Sequence, residues 1–141
     1  MNDEQVRNQK IKDVMNRVLT DASVFTLDSK WGSVAPVITR TTPHLAVVVN
    51  DFSDQKVEGV VTSGDVTRFS GSSPVTPGLE VSKVMNPNYV FVDPDKTIGE
   101  AVRLMNEKGI DNLIVTDSSQ KLLGVLNRSK LAQAVRAMLS D

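Results

Sequence analysis

Two eight-residue stretches of this chain set polar side chains on one frame and give them opposite chemistry. Residues 59–66 read GVVTSGDV and residues 124–131 read GVLNRSKL. In each, a glycine and two branched apolar residues precede a polar residue, and a second polar residue follows three positions later. The first copy fills those places with Thr62 and Asp65, the second with Asn127 and Lys130. A carboxylate presents two acceptor oxygens and takes donors in pairs, whereas an ammonium group only donates. An apolar run ending in such a stretch predicts a strand that feeds a helix. A helix start offers free backbone N–H groups and a dipole that favours a nearby anionic group. Thr62, three residues before Asp65, brings its hydroxyl to the same edge. The two copies therefore cannot hold a partner in the same way.

Other reactive side chains are scarce. The chain has one histidine, His44, and no cysteine. Disulfides and thiolate chemistry are thereby excluded, and a catalytic zinc site is not expected. His44 without a nearby acid is no catalytic constellation and reads as structural. The sequence holds no Ser-His-Asp set and no P-loop, so no enzymatic activity is expected. The 141 residues suffice for a real core, and a formal net charge of −1 with interspersed signs disfavours nucleic acid and anionic membranes. No apolar run reaches the roughly 20 residues of a membrane span. The opening MNDEQVRNQK is polar and unlike a signal peptide, so a cytoplasmic location is expected.

The elements that must position these residues come twice. IKDVMN (Ile11 to Asn16) returns as VSKVMN (Val81 to Asn86), SVFTLDSK (Ser23 to Lys30) as YVFVDPDK (Tyr89 to Lys96), and LAVVVND (Leu45 to Asp51) as DNLIVTD (Asp111 to Asp117). The spacing drifts from 70 residues to 66 to 65. In the second copy, Tyr89 to Val92 predicts a strand stopped by Asp93-Pro94. Thr97 and Glu100 form a T-x-x-E capping box, and Ile98, Ala101, Val102 and Met105 share one helix face. Gly109 suits the position just past that helix. Leu113 to Val115 and LLGVL are strands, and Ser129 is expected to cap a final helix carrying Leu131, Ala132, Ala134, Val135 and Met138. The order is β-α-β-β-α. The first copy follows it with strands at Val24 to Leu27, Leu45 to Val49 and Val57 to Thr62. Its first helix begins near Ser29 to Ser33, with Val34, Ala35, Val37 and Ile38 facing the core. Pro36 fits the first turn of that helix and would cost ~3 kcal/mol in its interior. Residues 3–14 are expected to form a further helix.

This ordered series, twice over, resembles a cystathionine-beta-synthase (CBS) domain pair, or Bateman module. The resemblance rests on VMN…VFVDPDKTIGEAVRLMNEKGIDNLIVTDSSQKLLGVLNRSKL and on HLAVVVNDFSDQKVEGVVTSGDV, and covers about residues 11 to 138. It implies an α/β fold of two β-α-β-β-α repeats related by a pseudo-twofold axis, with packed sheets and two inter-repeat clefts. The division it suggests is an N-terminal extension (1–10), repeat 1 (11–69), a linker (70–80) and repeat 2 (81–141). It also implies a stand-alone regulatory module, a homodimer shaped as a flat disc, and a separate effector protein. No cofactor is required. The expected ligands are AMP, ADP, ATP or S-adenosylmethionine.

By the same resemblance, Asp65 takes the ribose hydroxyls, and Thr62 lies by the ribose or phosphate. The ligand set becomes Val60, Thr62 and Asp65 with Tyr89, Val90, Ile110, Asp111 and Asn112, where Val90 and Ile110 flank the adenine. Asp111 departs from the family, whose nucleotide-binding members often carry a basic residue or histidine there. It would repel a phosphate by roughly 1–4 kcal/mol at 4 Å, depending on the dielectric. Adenosine or cationic S-adenosylmethionine would suffer less. A second cleft would combine Asn127 and Lys130 with Ser23, Val24, Pro43, His44 and Leu45, where Lys130 and His44 suit an anion.

Plainer readings stand beside these. Thr62 and Asp65 serve equally as helix-start residues, worth ~1 kcal/mol. Lys130 and Arg68 read as solvated helix residues, and Trp31 as a packing or dimer residue. Two functions follow: a regulatory module that senses an adenosine derivative, or a dimerisation and interaction scaffold whose clefts hold no small molecule.

Overall fold

A computed structural model describes residues 1–41, 43–72 and 77–141, apart from the side chains of 70–72. The chain folds as two three-stranded sheets with helices, a mixed α/β architecture. Two compact units result, and they do not follow the chain in order. One comprises Ala22–Tyr89, and the other joins Met1–Asp21 to Val90–Asp141.

The unit of Ala22–Tyr89 holds β1 (Ser23–Thr26), α3 (Trp31–Arg40), β2 (Leu45–Val49), β3 (Val57–Thr62) and α4 (Ser63–Ser72). The helices α1 (Asp3–Arg7) and α2 (Met15–Val18) precede them in the chain and belong to the other unit. That unit adds β4 (Phe91–Val92), α5 (Ile98–Lys108), β5 (Asn112–Thr116), β6 (Leu122–Asn127) and α6 (Arg128–Ser140). The expected β-α-β-β-α order is present in both. In each sheet the first strand pairs parallel to the second, and the second antiparallel to the third.

The registers correct the repeat spacing. Leu45 faces Thr62 as Asn112 faces Asn127, so Leu45 is equivalent to Asn112, 67 residues on, and not to Asp111. Val24 pairs with Val47 as Phe91 pairs with Ile114, which shifts the first strands by one residue too. The last strands keep 65. The step from 67 to 65 is absorbed in the hairpin between the second and third strands, which is two residues shorter in the second copy. Both copies carry a bulge there, at Glu58 and Leu123, just before the repeated glycine.

The glycine has a packing reason. A Cβ on Gly59 would lie 2.7 Å from Met85 Sδ and 3.0 Å from the Asn86 carbonyl oxygen, and one on Gly124 would lie 2.9 Å from Leu19 Cδ1. In each unit a segment from outside the β-α-β-β-α run crosses the third strand at that point. Val60 and Asn86 exchange backbone bonds of 3.0 and 2.8 Å, and Val125 and Thr20 exchange bonds of 3.1 and 2.9 Å. The same segments start in matching single 3-10 turns, Val81–Lys83 and Ile11–Asp13. Their bonds match as well. Val81 N–H donates to Ser29 and Ile11 N–H to Lys96, while Trp31 N–H donates to Leu79 and Ile98 N–H to Gln9.

These segments complete the cores. Val81 and Val84 pack with Trp31, Val34 and Ile38 of α3, Ala46, Val48 and Val61 of the sheet, and Val66 of α4. Val6, Ile11, Val14 and Val18 pack with Ile98, Ala101 and Met105 of α5, and with Leu131, Ala134 and Met138 of α6. Strand β2 is buried along its whole length. Trp31 meets Phe69 edge-on at 6.0 Å, so it is a core residue of its repeat.

Several local expectations change. The capping box of Thr97 and Glu100 is present, and Gly109 ends α5 at φ 63°, where a side chain would be strained. Asn127, and not Ser129, caps α6, its side chain accepting from the Lys130 N–H. An asparagine at the end of the strand already satisfies the free N–H, which leaves Ser129 inside the first turn. Pro36 lies in the second turn of α3 rather than the first. Only Phe91–Val92 of the run Tyr89 to Val92 ladders as strand, although Val90 still accepts from the Ile114 N–H. Residues 3–14 hold one five-residue helix and a 3-10 turn, not a single helix. Helix α4 continues through Ser72 into the expected linker, whose residues 73–76 lie outside the described residues.

Candidate functional site

The two strand-to-helix junctions share a backbone. Ser63 N–H donates to the His44 carbonyl at 3.2 Å, and Arg128 N–H donates to the Asp111 carbonyl at 2.8 Å. His44 and Asp111 are therefore equivalent positions on one frame. Their side chains and those around them do different things.

At the end of β3, Thr62 and Asp65 cap each other. The Thr62 N–H donates to Asp65 Oδ2 at 2.8 Å and its hydroxyl to the same oxygen at 3.2 Å, while the Asp65 N–H approaches Thr62 Oγ1 at 3.4 Å. This is a capping box with aspartate in the returning position. Arg68, one turn on, donates from Nη2 to Asp65 Oδ1 and lies 5.1 Å from the Phe69 ring centroid. Asp65 is 8% exposed, and besides Thr116 it is the buried polar residue among those described. Its i,i+3 spacing to Arg68 is legible in the sequence as a helix ion pair.

The other residues of the expected ligand set divide between the units. Val60 and Tyr89 belong with Thr62 and Asp65. Val60 is buried, with its backbone engaged by Asn86. The Tyr89 hydroxyl donates to the Val57 carbonyl at 3.2 Å, and burial, helped by the Glu58 charge, raises the phenol above its ordinary pKa. Val90, Ile110, Asp111 and Asn112 belong to the other unit.

There the β6–α6 junction reaches back to the start of β5. Arg128 donates from Nε to Asp111 Oδ1 at 3.1 Å, from Nη2 to the Ile110 carbonyl at 2.9 Å, and from Nη1 to Asn106 Oδ1 at 2.9 Å. Asn127 Nδ2 donates to Asn112 Oδ1 at 2.9 Å. Asp111 is thus an exposed carboxylate paired with a cation, not an isolated negative charge. Sequence reasoning missed Arg128. The hairpin register was the signal that could have found it, since Asn127 faces Asn112 and the next residue must lie by Asp111.

The second candidate set also divides. Asn127 and Lys130 lie at the start of α6. Lys130 is exposed and borders a surface concavity of about 460 Å³ with Asn16, Leu19, Thr20, Asp21 and Leu123. Ser23, Val24, Pro43, His44 and Leu45 belong to the other unit. Ser23 and Val24 are half-buried in β1, and Pro43 and Leu45 are buried. His44 is exposed, adopts φ 46°, and sets Nδ1 2.9 Å from the Ile38 carbonyl, which fits the structural reading of this residue.

Among the described residues, no group of three His, Cys, Asp or Glu side chains is arranged to hold a metal ion. No described helix is long and apolar enough to cross a membrane.

Comparison with known proteins accords with this geometry. Residues 81–137 match the family model of the CBS domain. Among curated relatives, arabinose 5-phosphate isomerase KdsD of Escherichia coli strain K12 is 31% identical over 97 residues, 69% of this chain and 29% of that protein. The chain spans less than a third of the length of the curated relatives it matches. Among solved structures, CBSX2 in complex with AMP superposes with a TM-score of 0.77 at 20% identity, over 92% of this chain and 97% of that one. The CBS domain pair of protein MJ0100, in complex with methylthioadenosine and S-adenosylmethionine, superposes with a TM-score of 0.71 at 14% identity, over 92% and 98%.

Proposed function

We propose that this chain, which belongs to the CBS-domain family, is a regulatory module that binds an adenosine derivative through Thr62 and Asp65. The observation that carries the reading is the Asp65 carboxylate. It is nearly buried, it is fixed at a strand-to-helix junction by Thr62, and it is an acceptor suited to the O–H donors of a ribose. Similar folds have been solved with AMP and with S-adenosylmethionine, which supports the ligand class. Val60 and Tyr89, of the same unit, complete the proposed ligand residues. The regulatory signal would be a change in homodimer geometry read by an effector protein, which requires the ligand to bind one geometry more tightly than the other.

Thermal unfolding of the pure protein with AMP, ADP, ATP and S-adenosylmethionine tests the proposal, each beside Asp65→Ala. A ligand at about a hundred times its dissociation constant adds roughly 2.7 kcal/mol of stability. A rise in melting temperature with one compound, absent in Asp65→Ala, is the expected result. No shift with any compound at millimolar concentration ends this reading.

One observation favours a second reading, a dimerisation scaffold without a small-molecule ligand. Thr62 and Asp65 at one junction, and Asn127 and Asp111 at the other, already find partners within the chain. That reading expects a stable dimer and no thermal shift, and a monomer in solution contradicts it.

A further inference from the structure

We infer that Arg68 sets which adenosine derivatives Asp65 accepts, because it competes with a ribose diol for the carboxylate and favours ligands that bring an anionic group. The inference rests on the proposed role of Asp65. It starts from the acceptor capacity of one carboxylate, which is about four lone-pair sites on two oxygens. Among the described residues, three donors already address them. The N–H and the hydroxyl of Thr62 both reach Oδ2, at 2.8 and 3.2 Å, and Arg68 Nη2 reaches Oδ1. Oδ2 is filled, and Oδ1 retains one site. A diol that donates both of its O–H groups needs two.

One of the present donors must therefore give way, and the geometry points to Arg68. Asp65 is only 8% exposed, and turning it outward would break its bonds to Thr62. The Arg68 side chain is 65% exposed and rests against the Phe69 ring, a contact it can keep while its guanidinium leaves Oδ1. Chemistry then sorts the ligands. A neutral nucleoside takes the place of the guanidinium on the carboxylate and brings no anion to it. A nucleoside monophosphate supplies an anion whose oxygens match the guanidinium fork. A further cation on the ligand would be placed beside the displaced one.

The test is calorimetric titration of the full chain with AMP and with adenosine, in the wild type, Arg68→Ala, Arg68→Gln and Asp65→Ala. The wild type is expected to bind AMP about tenfold tighter than adenosine, the scale of one charge-assisted contact. Arg68→Ala should bring the ratio close to one by weakening AMP and leaving adenosine unchanged or tighter. Arg68→Gln should do the same, which guards against a fault in folding of the alanine variant. Equal affinities in the wild type overturn the inference. So does a change by the same factor for both ligands in the Arg68 variants, which is what a structural role alone would give. If the wild type binds neither compound, the proposed role of Asp65 fails first and takes the inference with it. Loss of binding in Asp65→Ala, with an unaltered ratio in Arg68→Ala, sinks the inference alone.

Discussion

At the end of β3 a carboxylate is held in a capping box, with an arginine on its second oxygen. At the end of β6 the same backbone carries an asparagine and a lysine, and the neighbouring arginine is turned back onto the chain. The junctions agree in everything that builds the sheet. Each has the bulge, the glycine beneath a crossing segment, the bond from the helix start to the second strand, and the same pattern of ties to the 3-10 turn. The apolar frame repeats because two homologous cores must be packed. The polar pairs differ in the partners they take, since Asp65 accepts from Thr62 and Arg68 at the first junction. In the other, Arg128 and Asn127 use their donors on Asp111, Ile110, Asn106 and Asn112.

The shared frame should give the largest effects. Gly59→Val places a branched side chain against the Asn86 backbone, and Gly124→Val places one against the flexible end of Leu19. Urea unfolding should show both variants destabilised by about 1–3 kcal/mol, Gly59→Val through collision with Met85 and the Asn86 backbone, and Gly124→Val through collision with Leu19 and a φ of 158° that side chains rarely adopt. Equal and negligible losses would break the claim that the glycines serve the crossing segments.

The next effect separates the polar pairs. Asp65→Ala removes half of a capping box and should cost about 1–2 kcal/mol without any ligand, whereas Lys130→Ala, at an exposed site, should stay within about 0.5 kcal/mol. Similar losses would mean that the two junctions are not different in kind. Arg128→Ala should fall between them, at about 1 kcal/mol, since its partners Asp111 and Asn106 are exposed, Ile110 is half-buried, and all can take water instead. Amide exchange should rise around residues 110–112 in that variant and stay unchanged around Thr62.

The smallest effect is one of pH. Asp95 is held below its ordinary pKa by a hydrogen bond and by the charge of Lys12, and Glu100 by the Thr97 backbone and hydroxyl. A carboxylate with a depressed folded-state pKa stabilises above its unfolded value, and that stability is lost as pH falls through the folded value. Acidification below the usual carboxylate range should therefore loosen the segment Lys10–Asp13, which the Lys12–Asp95 pair helps to hold at 2.8 Å. Asp28, lowered chiefly by Thr26, is the matching group of the other repeat and is bonded within its own turn. Amide protection, taken relative to the intrinsic exchange rate at each pH, should fall between pH 6 and pH 3 at Ile11 and Lys12 before it falls at Val81 and Ser82. The Asp95→Asn variant should erase that order.

The sequence carried more of the frame than of the junction chemistry. Local signals were strong where one short stretch decided the outcome. Thr97, Glu100 and Gly109 bounded α5, and the apolar runs placed β2, β3 and β6. Competition blurred other positions. Asn127 and Ser129 both cap helices well, and the strand register chose the first. The one-residue slip near Leu45 arose because two hairpins of unequal length hide the offset until the bulges are seen. The crossing segments were illegible for a different reason. Ile11 and Val81 looked like the first residues of their repeats, yet each buries itself in a core built mostly from distant sequence. Arg128 escaped for the same reason, since its partners lie 17 to 22 residues away. Thr62 and Asp65 were legible as a pair, but whether the pair caps or binds depends on acceptor sites that no spacing reveals.

On the proposed function, one junction of the two holds a ligand. Calorimetric stoichiometry measures it most directly, with AMP titrated into the wild type, Asp65→Ala and Lys130→Ala. One site per chain, lost in Asp65→Ala and kept in Lys130→Ala, is the predicted result. Two equal sites per chain, or a single site that survives Asp65→Ala, would contradict it.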